Sequence, residues 1–186
     1  MSDDELIKEI QQHNSKAALD TLIRRYYHEI YSFIYRRLQS QELAYDLTQE
    51  VFVKMIKTIK RYEYRNQFRK WLITIALNQV RDYTRSKIAQ NRKQEEQIEE
   101  GCIIDEKKNI IQIYEIKEQS LEIQHALEIL PEQQSEAIIL KYYHGYKYGE
   151  IAQITQTNEN TVKSRVTQGL KKLAGMIRRE TEDDIV

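Results

Sequence analysis

Between Lys60 and Trp71 the chain reads KRYEYRNQFRKW, where cations alternate with rings: Arg61, Tyr62, Tyr64, Arg65, Phe68, Arg69, Lys70 and Trp71. Cations hold phosphates and rings stack on unpaired bases, so this is a candidate single-strand nucleic-acid site, with about 1–3 kcal/mol available per stacked base. Trp71 and Phe68 also fit a core stripe, whereas Tyr62 and Tyr64 fall in a loop. A second pattern covers Gly145 to Lys172, GYKYGEIAQITQTNENTVKSRVTQGLKK. It reads as a helix, a four-residue turn and a second helix. Tyr148, Ile151, Ala152 and Ile154 form the inner stripe of the first helix, and Val162, Val166, Leu170 and Leu173 that of the second. Asn160, Lys163, Ser164, Thr167, Gln168 and Lys171 are left outward, a polar face suited to a DNA major groove. Asn158 is placed to accept from the Thr161 amide as an N-cap, fixing the helix start near residue 159. A purely structural helical hairpin has the same periodicity. A third pattern, from Glu42 to Ile59, turns Leu43, Leu47, Val51, Met55 and Ile59 inward and exposes Asp46, Gln49, Glu50 and Lys57.

Other chemistries find little support. Cys102 is the single cysteine, and His13, His28, His125 and His144 are scattered without ligand spacing, so neither a disulfide nor a metal site is expected. No glycine-rich phosphate loop or nucleophile motif occurs, so no cofactor, catalytic residue or small-molecule substrate is expected. No apolar run approaches the roughly 20 residues of a membrane span, and the acidic start MSDDELIKEI is unlike a signal peptide, so the expected location is cytoplasmic, without membrane insertion.

The elements that must position these residues are helices. One proline and five glycines in 186 residues, with 31% charged side chains and few strand signals, predict an all-α protein of two small helical domains. Ala17–Leu38, Glu42–Ile59 and Phe68–Arg85 each carry an apolar stripe and together predict a bundle. Formal net charge is zero but segregated. Residues 1–93 hold 18 Lys and Arg against 11 Asp and Glu, residues 94–122 hold 3 against 9, and residues 141–179 hold 8 against 2. Two basic modules are therefore joined by a flexible acidic linker from about Ser86 to Glu118. The linker is either a solvated spacer or a mimic of nucleic acid inside a partner's basic channel.

Three motifs in order carry a resemblance: AYDLTQEVFVKMIKTI from Ala44, FRKWLITIALNQVRDYTR from Phe68, and LPEQQSEAIILKYYHGYKYGEIA followed by NTVKSR. Over nearly its whole length the chain resembles the extracytoplasmic-function (ECF) group of bacterial RNA polymerase sigma factors, in the sigma-70 family. The resemblance implies sigma domain 2 over residues 1–86, a linker over 87–118, sigma domain 4 over 119–180 and an acidic tail over 181–186. It implies that core RNA polymerase docks on Asp46, Gln49, Glu50 and Phe52. Arg61, Tyr62, Tyr64, Arg65 and Asn78 would capture a flipped base of the minus-ten element, with Arg81 and Arg85 on backbone phosphate. Asn160, Lys163, Ser164, Thr167 and Gln168 would face the minus-thirty-five element, with Arg165 and Lys171 on phosphates. Promoter DNA and an anti-sigma factor follow as partners, and initiation at a stress or envelope regulon as the role. A stand-alone helix-turn-helix regulator would use the same second module, and polymerase binding discriminates the two; an enzyme is the poorer rival.

The chain departs from the family pattern at Gln156, where glycine is usual, and at Thr157, where an apolar residue is. A left-handed Gln156 costs about 1 kcal/mol. Gly169 is expected to weaken the second helix by about 0.5–1 kcal/mol relative to alanine.

Overall fold

Two helix joints in the N-terminal half are built alike. Helix α1 (Asp3–His13) ends on Asn14, left-handed at φ 49°, and α2 (Lys16–Leu38) begins behind Ser15, whose hydroxyl accepts from the Ala18 amide. Likewise α2 ends on left-handed Gln39 (φ 50°), and α3 (Gln41–Thr58) begins behind Ser40, which accepts from Leu43. A polar residue in the left-handed region stops one helix and the next serine satisfies a free amide of its successor, so the chain reverses within two residues. Helix α1 starts in a capping box, with Glu5 N–H donating to Ser2 Oγ and Ser2 N–H to Glu5 Oε2.

The structure, a computed structural model, describes residues 1–63, 67–95 and 123–183, and among these every regular element is helical. After α3 the chain tightens into one 3-10 turn (Ile59–Arg61) and resumes as α4 (Phe68–Glu95). Helix α4 runs ten residues past the expected end at Arg85. Residues 87–95 carry no apolar stripe but also no glycine or proline, and Lys, Ala, Gln, Arg and Glu sustain a helix without packing. The remainder of the acidic linker, with Gly101 and Cys102, lies outside the described residues, as do Tyr64 and Arg65. The N-terminal core joins Leu22, Ile30, Phe33 and Ile34 of α2 to Ala44, Val51 and Met55 of α3 and to Leu72, Ile73, Ala76, Leu77 and Val80 of α4, all at 0–1% exposure. Each of these side chains larger than alanine contributes about 1.5–3 kcal/mol of burial.

The C-terminal half comprises α5 (residues 123–129), α6 (Glu132–Ile138) behind Pro131, a π turn (Ile139–Tyr143), α7 (Tyr148–Ile154) and α8 (Glu159–Asp183). Helix α8 thus absorbs the first residues of the expected acidic tail. Gly145 takes φ 72° after the π turn, a backbone that glycine adopts without strain. The inner stripe of α8 differs from expectation at one position. Val162, Val166 and Leu173 are buried, but Leu170 is 38% exposed and Gly169 faces inward instead. A Cβ on Gly169 would stand 2.6 Å from Ile138 Cδ1 and 3.3 Å from Gln134 Cβ. The glycine permits the close approach of α8 to α6, so its helix-propensity cost accompanies a packing gain.

The two halves meet directly. Arg81 of α4 grips Glu136 of α6 with both arms of its guanidinium, Nε to Oε1 at 3.0 Å and Nη2 to Oε2 at 2.7 Å. Arg37 donates to Ser135 Oγ at 3.2 Å, and Arg69 donates to the His144 carbonyl at 2.8 Å. Arg36 lies 3.9 Å over the Tyr143 ring, and Phe33 meets His144 edge-on at 5.7 Å.

Candidate nucleic-acid and polymerase interfaces

The turn between α7 and α8 is set by two polar residues. Gln156 takes φ 54°, the left-handed conformation expected of it, and the Thr161 amide donates to Asn158 Oδ1 at 2.7 Å, as the N-cap reading required. The Thr161 hydroxyl reaches the same oxygen at 3.0 Å. Asn160, Lys163, Ser164, Thr167, Gln168 and Lys171 all lie exposed on α8, and Arg165 is half-buried beside them. Lys163 pairs with Glu159 one turn earlier at 2.8 Å, with both side chains half-exposed. At that exposure the pair is worth about 0.3–0.5 kcal/mol and yields readily to a phosphate or base edge. Gln168 is held on both sides: its amide donates to Ser164 Oγ at 3.1 Å and its carbonyl accepts from Gln134 at 3.2 Å. The periodicity could not reveal that second contact, because Gln134 comes from another helix.

The cation and ring segment is anchored by the first helix of the chain. Gln11 of α1 donates to the carbonyls of Ile59 at 2.7 Å and Tyr62 at 2.9 Å. Tyr62 is half-buried, packed edge-on to Phe68 at 5.7 Å and 5.0 Å from Trp71. Phe68 lies in the core, and Trp71 is partly buried against it. Arg61 is exposed, and so are Asn78 and Arg85 on α4, whereas Arg81 is half-buried by its grip on Glu136. The hydrogen bond to Glu136 raises the Arg81 pKa against the opposing effect of burial. Burial lowers that of Arg37, with Glu136 and Glu132 opposing the shift. A cleft of about 390 Å³ opens beside the loop, with Arg61, Tyr62, Lys70 and Trp71 on one wall and Gln153 and Ile154 of α7 on the other.

On α3, Asp46, Gln49 and Glu50 are exposed as expected. Glu50 accepts from the Gln79 amide of α4, and Lys54 donates to the Gln79 carbonyl, so the carboxylate is oriented by a short polar chain. Phe52 departs from the expectation of a contact residue. It is 5% exposed and stacked on Tyr27 at 6.0 Å, continuing a ladder through Tyr31 and Tyr35. The exposed apolar residues of this helix are Tyr45, Val53 and Ile56, which the stripe reading passed over because it sought apolar residues only on the inner face. Among the described residues no group of His, Cys, Asp and Glu could hold a metal, and no helix is long and apolar enough to cross a membrane.

Residues 22–89 match the family Sigma-70 region 2, and residues 120–173 match Sigma-70, region 4. The chain belongs to the sigma-70 family, in its ECF group. The ECF RNA polymerase sigma-E factor of Escherichia coli (strain K12) is 28% identical over 192 residues, covering 96% of this chain and 98% of the relative. The ECF RNA polymerase sigma factor SigE of Mycolicibacterium smegmatis is 28% identical over 166 residues, covering 88% of this chain and 63% of its own. Two solved structures share the fold. One is the sigma factor RpoE in complex with the anti-sigma factor NepR from Bartonella quintana, with TM-score 0.68 and 21% identity over 86% of this chain and 96% of that one. The other is CnrH in complex with the cytosolic domain of CnrY, with TM-score 0.70 and 18% identity over 95% and 97%. This sigma factor is an alternative sigma factor for promoter recognition and transcription initiation, and its partners are core RNA polymerase and promoter DNA.

Proposed function

We propose that the two modules of this sigma factor divide the work residue by residue. Residues 1–86 act as sigma domain 2, residues 87–118 as the connector and residues 119–180 as sigma domain 4. Core polymerase docks on the face of α3 that presents Asp46, Gln49 and Glu50, with the exposed Tyr45, Val53 and Ile56 supplying apolar contact beside the carboxylates. Such a mixed face suits a partner whose binding is steered by charge and retained by desolvation.

Arg61 and Tyr62, together with Tyr64, Arg65 and Asn78, receive an unpaired base of the minus-ten element, while Arg81 and Arg85 hold its backbone. The observation that carries this reading is the cleft between α7 and the Tyr62 loop with the start of α4, lined on the loop side by Arg61, Lys70, Tyr62 and Trp71. The exposed face of α8 reads the minus-thirty-five duplex. Lys163, Ser164, Thr167, Gln168 and Asn160 meet base edges, while Arg165 and Lys171 meet phosphates.

As an initiation factor the protein is not itself an enzyme, and it works in the cytoplasm, where polymerase and DNA are. An anti-sigma factor restrains it, a reading supported by its likeness in fold to sigma factors solved with such partners. The regulon is a stress or envelope response, by likeness to the ECF group. Purified protein added to core RNA polymerase should bind saturably and give new start sites in run-off transcription from genomic fragments. Failure to bind an active core enzyme of the same organism would overturn the reading of the first module and leave a helix-turn-helix DNA binder.

A further inference from the structure

Two lysines of the second module, Lys141 and Lys147, take no part in the promoter or polymerase contacts. Both line a cleft of about 520 Å³, together with Lys70 of α4. Its volume falls within the range of about 300–1,000 Å³ usual for small-molecule sites. The cleft is distinct from the one beside Tyr62, with which it shares only Lys70 and Gln153.

The charges in this cleft are unevenly satisfied. Its two carboxylates are already engaged: Lys163 holds Glu159 at 2.8 Å, and the Lys147 amide donates to Glu150 Oε2 at 2.8 Å. Among the described residues, none of the three ammonium groups pairs with a carboxylate. Lys70 Nζ donates to the amide oxygen of Gln153 at 2.9 Å, and Lys141 Nζ stands 4.6 Å from the centre of the Tyr148 ring. Lys147 is exposed. An amide or a ring orients a cation without cancelling its charge, so these lysines stay available to an anion. They come from three separate elements, so their convergence is made by the fold and not by a local charge run. Lysine meets phosphate as a compact point charge on a flexible stem. An anion whose charge is spread along a chain can therefore meet all three.

We propose that this cleft binds a polyphosphate anion, either the phosphate chain of a nucleotide or inorganic polyphosphate, through Lys70, Lys141 and Lys147. Lys70 belongs to the first module and the other two to the second, so the anion touches both. By linkage it binds best to the arrangement in which the modules adjoin, and it stabilises the folded chain in turn. Because the site is open to solvent, its affinity should fall as salt rises.

The test uses the full chain and three probes at matched ionic strength: tripolyphosphate, ATP and sulfate. Isothermal titration reads binding, and thermal unfolding followed by circular dichroism reads stabilisation. Tripolyphosphate should bind saturably and raise the unfolding temperature, whereas sulfate should do neither. Lys141→Gln and Lys147→Gln should each weaken tripolyphosphate binding by about fivefold, with helicity and duplex DNA binding unchanged. Lys8→Gln, on the exposed side of α1, should leave it unaltered. Equal affinity for ATP and tripolyphosphate would support a site for the chain alone, and tighter ATP binding a site for a nucleotide. Sulfate as effective as tripolyphosphate, or variants that bind tripolyphosphate as the parent does, would overturn the proposal. Loss of duplex binding in both variants with tripolyphosphate binding intact would also overturn it, and would add the two lysines to the α8 face instead.

Discussion

Replacing Gly169 by alanine sets two effects of opposite sign against each other. In an isolated helix the change stabilises by about 0.5–1 kcal/mol. Here the new Cβ would stand 2.6 Å from Ile138 Cδ1 and 3.3 Å from Gln134 Cβ. The first atom ends a side chain, but Ile138 is only 3% exposed and cannot swing aside without displacing its neighbours. Overpacking of this kind costs about 1–3 kcal/mol, so the net expectation is a loss of about 1 kcal/mol. The same strain pushes α8 away from α6 and stretches the 3.2 Å bond from Gln134 to Gln168, so duplex binding should weaken as well. Urea unfolding followed by circular dichroism measures the first effect. A double-mutant cycle with Ile138→Val, which deletes the crowded atom, isolates its cause. The valine change alone should destabilise by about 0.5–1.5 kcal/mol, yet should restore stability in the Gly169→Ala background, giving a coupling of about 1 kcal/mol. An alanine variant more stable than the parent, or a cycle with no coupling, would refute the close-approach argument.

Asn158→Ala should cost about 1 kcal/mol by removing the acceptor of the Thr161 amide, while Asn158→Asp keeps most of that stability in the same urea assay. Asp46→Ala with Glu50→Ala should weaken core polymerase binding by about tenfold, or about 1.4 kcal/mol; unchanged affinity in a fluorescence titration would remove that face from the interface. Tyr62→Ala should impair strand opening, read by permanganate reactivity of promoter thymines, while leaving polymerase binding intact. Burial acts to raise the Glu29 pKa from 4.5, but His144 and Arg69 more than reverse this, leaving it lowered. A depressed carboxylate stabilises the folded protein above its ordinary pKa and loses that contribution as pH falls through the lowered value. The difference in urea stability between the parent and Glu29→Gln should therefore hold from neutral pH to about 4.5 and shrink at lower pH; a difference already lost near neutrality would refute the role of Glu29.

Helices that bury one face were legible in the sequence because three- and four-residue spacing is a local property. The α7–α8 turn was legible for a similar reason: Asn158 caps a residue three positions away, and the left-handed turn fell at Gln156. Features set by distant partners were not. Leu170 has the right spacing to be inward, but the approach of α6 gives that place to Gly169. Phe52 is as apolar as a contact residue should be, but Tyr27, on another helix, covers it. The cations of α4 stand out in the sequence as candidate anion ligands. Their present partners are 40 to 83 residues away in sequence, beyond any local pattern. Gln11, which pins the base of the Tyr62 loop, offered no signal at all, since an amide on an amphipathic helix usually just meets water.

Trp71 is the single tryptophan among 186 residues, and it sits 5.0 Å from Tyr62 on the wall of a cleft closed by Gln153 and Ile154. The protein thus carries its own optical gauge at the place where loop, long helix and helix-turn-helix module converge. A base stacking beside Tyr62 would quench that indole, and withdrawal of α7 would admit water and redden its emission. The two events would change intensity and colour separately, in unlabelled protein and in real time.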